Sequence, residues 1–137
     1  MKAIFDHEKL DVYQQELAFI TWVTALLADA KEDSSAKTRE VRDQLDRASL
    51  SALLNTAEGN GKRQGQARAK FFDDARGSAT ECAACLDALV AKGICGPERV
   101  REGKEILVRI VQMLSKLVAL FSDERKVRED TAEYRVS

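Results

Sequence analysis

Apolar residues recur at three- and four-residue spacing in four stretches of this chain, with polar or turn-forming residues between them, and that pattern admits little besides packed helices. Between Lys9 and Ala30 one stripe runs through Leu10, Tyr13, Leu17, Ile20, Thr24 and Leu27, and a second through Val12, Phe19, Val23, Leu26 and Ala30. The arc is wider than one packing partner needs, so two neighbours are expected to cover it. The polar stretch Lys31 to Lys37 breaks the pattern, and Ser34 or Ser35 can cap the next helix. Val41, Leu45, Ala48 and Ala52 resume it, and Gly59, Asn60 and Gly61 tolerate the left-handed backbone with which many helices stop. A third seam, Phe72, Ala75, Ala79, Cys82, Leu86 and Leu89, ends at Gly93. Pro97, the single proline, and Glu98 suit the first turn of a fourth helix, where no amide proton is needed and an acid meets the positive end of the dipole.

Short connections between four such helices predict an all-α fold, an antiparallel up-down-up-down four-helix bundle over residues 1–122, followed by a charge-mixed tail over 123–137. The later half of the fourth helix, Ile106 to Phe121, is polar only at Arg109, Gln112, Ser115 and Lys116. A helix that apolar is buried on most sides, and the surplus predicts a symmetric homo-oligomer in which copies cover one another. If the second and third helices turn around Gly61 to Gly65, Gly77 and Ser78 face Ser49 and Ala48, small against small. The same register sets Glu81 near Leu45, with Arg42 and Gln44 in reach, and Asn55 near Phe71, as polar groups at core positions that need partners.

The 22 Lys and Arg nearly balance 23 Asp and Glu, so the net charge of -1 draws the whole molecule toward neither nucleic acid nor an anionic membrane. No apolar run reaches the ~20 residues that span a bilayer, and Asp6, His7 and Glu8 stand too close behind Met1 for a signal peptide, so the expected location is the cytoplasm. Three cysteines, with Cys82 on an apolar seam, read as reduced thiols in the core. Cys82 and Cys85 have metal-like spacing without a full ligand set, since His7 is the only histidine. No Glu-x-x-His pair is present, and Glu58 and Glu81 lie several turns apart in the expected register. The glycines around Lys62 lack the order of a phosphate-binding loop. No metal, no cofactor, no small-molecule substrate and no enzymatic activity are therefore expected.

One cluster remains. Lys62, Arg63, Arg68, Lys70 and Arg76 gather at and just beyond the second interhelical turn, with acids entering only at Asp73 and Asp74. A lone patch of this size is ordinary for a solvated helix end, but a symmetric oligomer would repeat it as a ring whose summed field acts on phosphates.

The strings QLDRASLSALLNTAEG (Gln44 to Gly59) and ARGSATE (Ala75 to Glu81), with FDHEKLDVYQ near the start, resemble a bacterial family of four-helix-bundle proteins encoded within intervening sequences of 23S ribosomal RNA genes. The accessory variability proteins of diversity-generating retroelements look like relatives. Asn55, Glu58, Gly59, Gly77, Ser78 and Glu81 match the family's paired motif, and Thr56 departs from it where isoleucine is commoner. The resemblance covers about residues 5 to 122 and implies the bundle fold, a ring-shaped homopentamer and binding of RNA or DNA through basic surfaces. The alternative is a protein-interaction scaffold whose charges only keep it soluble.

Overall fold

A computed structural model of the chain describes residues 2–30 and 36–136, with side chains through 122 except at 36 and 37. The cap candidates Ser34 and Ser35, and the side chains of the charged tail, lie outside the described residues. The fold is all-α. A single 3-10 turn, Asp6–Lys9, leads into α1 (Asp11–Ala30), α2 (Ala36–Gly61), α3 (Gly65–Ala91) and α4 (Pro97–Val136). At the entry the Glu8 carboxylate accepts the backbone amides of Ile4 and Phe5, which fixes the approach of the chain to α1.

Helix ends follow local chemistry. Past the C-cap Lys92, Gly93 adopts φ 73°. Its amide bonds the Val90 carbonyl at 3.0 Å, and the Ile94 amide reaches back to Leu89 at 3.0 Å, satisfying carbonyls that α3 would otherwise leave open. Pro97 opens α4 as its spacing predicts. The glycines after α2 behave otherwise: Gly59 is buried inside the helix with ordinary helical backbone, and a Cβ there would stand 2.9 Å from the Cβ of Phe71. This glycine serves close approach of α2 to α3 rather than a helix stop.

Each helix packs on two neighbours. α1 meets α2 and α4, and α3 meets α2 and α4, and among the described residues the backbones of diagonal helices do not approach one another. Contacting pairs step in opposite directions along adjacent helices: Gln44 with Glu81 and Asn60 with Arg68 between α2 and α3, Gln15 with Arg109 and Asp29 with Arg99 between α1 and α4. The core is Val12, Phe19, Val23 and Leu26 of α1, Val41, Leu45 and Ala48 of α2, Phe72 to Leu89 along the α3 seam, and Val100, Ile106, Leu107, Ile110 and Leu114 of α4. Of the two stripes on α1, the second faces inward, while Leu17 and Thr24 of the first stay exposed and Leu10, Tyr13, Ile20 and Leu27 are half-buried. Most of the apolar excess of α4 is also absorbed internally, since Val111, Met113, Leu117, Val118 and Phe121 pack against this core. Val108 and Leu120 remain open to solvent, as do Leu50 and Leu54 on α2.

The small-residue match across α2 and α3 is displaced. Ser78 meets Ser51, Oγ to Oγ at 3.0 Å, instead of Ala48. Gly77 is exposed, and a Cβ there would touch nothing within 4 Å, so it does not bring the two backbones together. It stands two residues beyond Ala75, and such neighbours never share a helix face.

Candidate nucleic-acid interface

The turn between α2 and α3 brings the basic cluster to one end of the bundle, but packing treats its five members differently. Lys62 and Arg63 meet no carboxylate among the described residues. Lys62 lies with its Nζ 5.0 Å from the Phe71 ring centroid, and Lys70 approaches the same ring at 5.1 Å. Two ammonium groups thus approach one half-buried aromatic ring. Lys70 also pairs with Asp74 at 3.0 Å, and Arg76 pairs with Asp73 while its Nη1 donates to Ser115 of α4 at 3.1 Å. Both ion pairs are solvent-exposed, so each contributes at most about 1 kcal/mol, and a phosphate can compete for the cation.

Arg68 has a different task. Its guanidinium lies 4.3 Å from the centre of the Phe121 ring and donates to Asn60 Oδ1 at 3.1 Å, and Asn60 in turn donates to Asp6 at 2.9 Å. Asp6 is held below the usual carboxylate range, first by this bond from Asn60 and then by Lys9 and Arg68. The network ties the 3-10 turn, the end of α2, the start of α3 and α4 together, so Arg68 is a brace rather than a free phosphate ligand. Beside the brace, Lys70, Asp73 and Arg76 line an open groove between α3 and α4 of about 720 Å³, closed on one side by Val118 and Ser122. Gln64 and Gln66 add uncharged donors to its lining.

The six motif residues do not converge on this groove. Asn55 is half-buried, and its Nδ2 donates to the Ser51 carbonyl at 2.9 Å and to Ser51 Oγ at 3.2 Å. Glu81 is exposed rather than buried, and accepts from Gln44, one of the two partners the register put in reach. Glu58 is exposed, Gly59 packs on α3, Gly77 faces solvent and Ser78 bridges to Ser51. These are mainly architectural positions, and no reacting group is assembled among them.

Elsewhere burial pushes the Cys82 thiol up to about 12, and it also raises Cys85 and Cys95, which disfavours the thiolate at all three. His7 is held between Phe5, at 5.7 Å, and Tyr13, at 4.7 Å between ring centroids. Among the described residues no group of three or more His, Cys, Asp or Glu side chains could hold a metal ion, and no helix is long and apolar enough to cross a membrane.

The polar group that sequence reading missed is Glu16. It is 2% exposed, accepts one hydrogen bond from Thr56 Oγ1 at 2.7 Å, and leaves its other oxygen, Oε1, without a partner among the described residues. Burial raises its carboxyl to about 8, against a smaller lowering by the Thr56 bond. A signal was present, because Glu16 falls on the Val12, Phe19, Val23 stripe at helical spacing. An acid on an apolar stripe is a buried acid once that stripe turns inward.

Neither the curated proteins nor the solved structures compared with this chain contain a match. The family model for the 23S rRNA-intervening sequence protein matches residues 8–116, which spans α1, α2, α3 and the buried part of α4. With four packed helices in place and most of its length matched, the chain belongs to the 23S rRNA-intervening sequence protein family.

Proposed function

We propose that this protein is a non-enzymatic, homo-oligomeric antiparallel bundle of the cytoplasm that binds nucleic acid through the α2–α3 turn of each copy. The observation that carries the reading is the turn itself: Lys62 and Arg63 meet no carboxylate among the described residues, and Lys70 approaches the same aromatic ring as Lys62. Phosphates are the natural complement of such a cluster, and the family's link to 23S rRNA favours RNA over DNA. Arg76 contributes once a phosphate displaces Asp73. One copy offers few such cations. Several copies around a symmetry axis multiply them, which a ring such as a pentamer would do.

Replacing Lys62 and Arg63 by glutamine is expected to weaken binding to a structured RNA about tenfold or more and to flatten its salt dependence. For every phosphate left without its cation, the slope of log K against log salt should fall by about 0.9. Gel shifts at two salt concentrations measure both, and unchanged binding, or none by the parent, rejects the reading.

Assembly draws support from apolar side chains left outside, among them Leu17 on α1, Leu50 and Leu54 on α2, and Val108 and Leu120 on α4. A lone bundle has no use for this set, and a neighbouring copy covers it. Leu50→Glu with Leu54→Glu should lower the solution mass measured by light scattering while leaving the helical circular dichroism unchanged. The same exposed leucines favour the scaffold reading, in which another protein docks there. A stable protein partner surviving nuclease treatment, with no bound nucleic acid in the parent, would select that alternative.

A further inference from the structure

Glu16 is the most anomalous group in the bundle, and its position gives it a task beyond the binding of a ligand. It sits in the middle of α1, buried, with Thr56 of α2 as its hydrogen-bond partner and Oε1 unmatched among the described residues. Among the described residues α1 is the most lightly packed of the four helices: it meets α2 and α4 less extensively than those two helices meet α3. It is the element most easily lifted without dismantling the remainder.

We propose that Glu16 is a proton-operated latch for α1: carrying its proton it stays inside against Thr56 and keeps α1 seated, and without the proton the carboxylate must reach water, which unseats α1. Among the described residues no charged side chain answers a bare carboxylate there. On α1 itself, Gln15 is committed to Arg109 of α4, whose Nε donates to it at 3.2 Å. On α2, Glu58 is exposed two residues beyond Thr56, on another face of the helix. On α3, Arg76 and Asp73 neutralise each other, and Arg76 is also bonded to Ser115 of α4. Burial and the Thr56 hydroxyl are the influences that act on Glu16, so water is the available refuge for the charge. Unseating α1 bares Val12, Phe19, Val23 and Leu26 together with the inner face of the other three helices.

Hydrogen exchange on the full chain, corrected for the intrinsic pH dependence of exchange, tests the latch. An opening that frees Glu16 gives it an ordinary carboxyl, so the α1 opening equilibrium should rise about tenfold per pH unit between roughly pH 5 and 8 and level off above that. The amides of α1 should be less protected than those of α3 throughout. Trp22, the single tryptophan and itself on α1, should become more accessible to a neutral quencher over the same range. Glu16→Gln should abolish the pH dependence of α1. Thr56→Val, which removes the donor, should carry it to higher pH. The latch is overturned if α1 protection is flat with pH, if α1 and α3 open together at every pH, or if Glu16→Gln keeps the parent's slope.

Discussion

Raising the pH from about 5 to 8 is expected to take several kcal/mol off the stability of the parent protein and almost nothing off that of Glu16→Gln. Glu16 is held near 8 in the fold against an ordinary 4.5. A carboxyl whose folded value is raised binds its proton more tightly when folded, so its stabilising effect is full below 4.5 and is lost as pH rises toward 8. At about 1.4 kcal/mol per unit, the whole window is worth about 5 kcal/mol, a large part of a small domain's stability. Asp6 and Glu8 act with the opposite sign: their carboxyls are held low, by Asn60 for Asp6 and by the Ile4 and Phe5 amides for Glu8, so their contributions vanish only in acid. Urea unfolding at pH 5, 6, 7 and 8 measures the slope. A parent whose midpoint does not fall across this range, or a glutamine variant that falls with it, contradicts the buried proton.

Gly103→Val is expected to cost roughly 3 kcal/mol, and Gly103→Ala somewhat less, through a clash with one side chain. A Cβ at Gly103 would stand 2.7 Å from Trp22 Cε3 and closer still to Cζ3 and Cη2, inside the ring's van der Waals surface. The ring has little room to yield, since Phe19 lies 5.7 Å away on one side and the Arg99 guanidinium lies 5.7 Å from its centroid. Alanine recovers up to about 1 kcal/mol from its better helix propensity, which tempers its cost. Both substitutions should shift Trp22 fluorescence, and Trp22→Phe should relieve much of the penalty when combined with Gly103→Ala. Additive losses in that double variant would show that the strain lies elsewhere.

Much of the architecture was readable because its causes are local. The third seam, Phe72 to Leu89, is buried at every position read from spacing, and Gly93 and Pro97 mark their helix boundaries by backbone conformation and a missing amide proton. Lys70 with Asp74 and Arg76 with Asp73 lie four and three residues apart on α3, so their mutual neutralisation was also within reach of the sequence. The capture of Arg68 was not, because Asn60 and Phe121 reach it from α2 and α4. The basic cluster looks uniform along the chain. Only in three dimensions does it divide into two cations that no described carboxylate meets, two exchangeable pairs and a brace.

By itself the sequence determined the four helices, the boundary between α3 and α4 at Gly93 and Pro97, and the family, since periodicity, capping chemistry and motif spacing act within a few residues of chain. Only the tertiary structure decided which stripe of α1 turns inward, and with it the burial of Glu16 against a hydroxyl 40 positions away. The tertiary structure likewise placed Gly59 rather than Gly77 at the close approach of α2 and α3. Both outcomes depend on the rotation of one helix against its neighbours. That rotation is set by packing of the whole core, which no local pattern encodes.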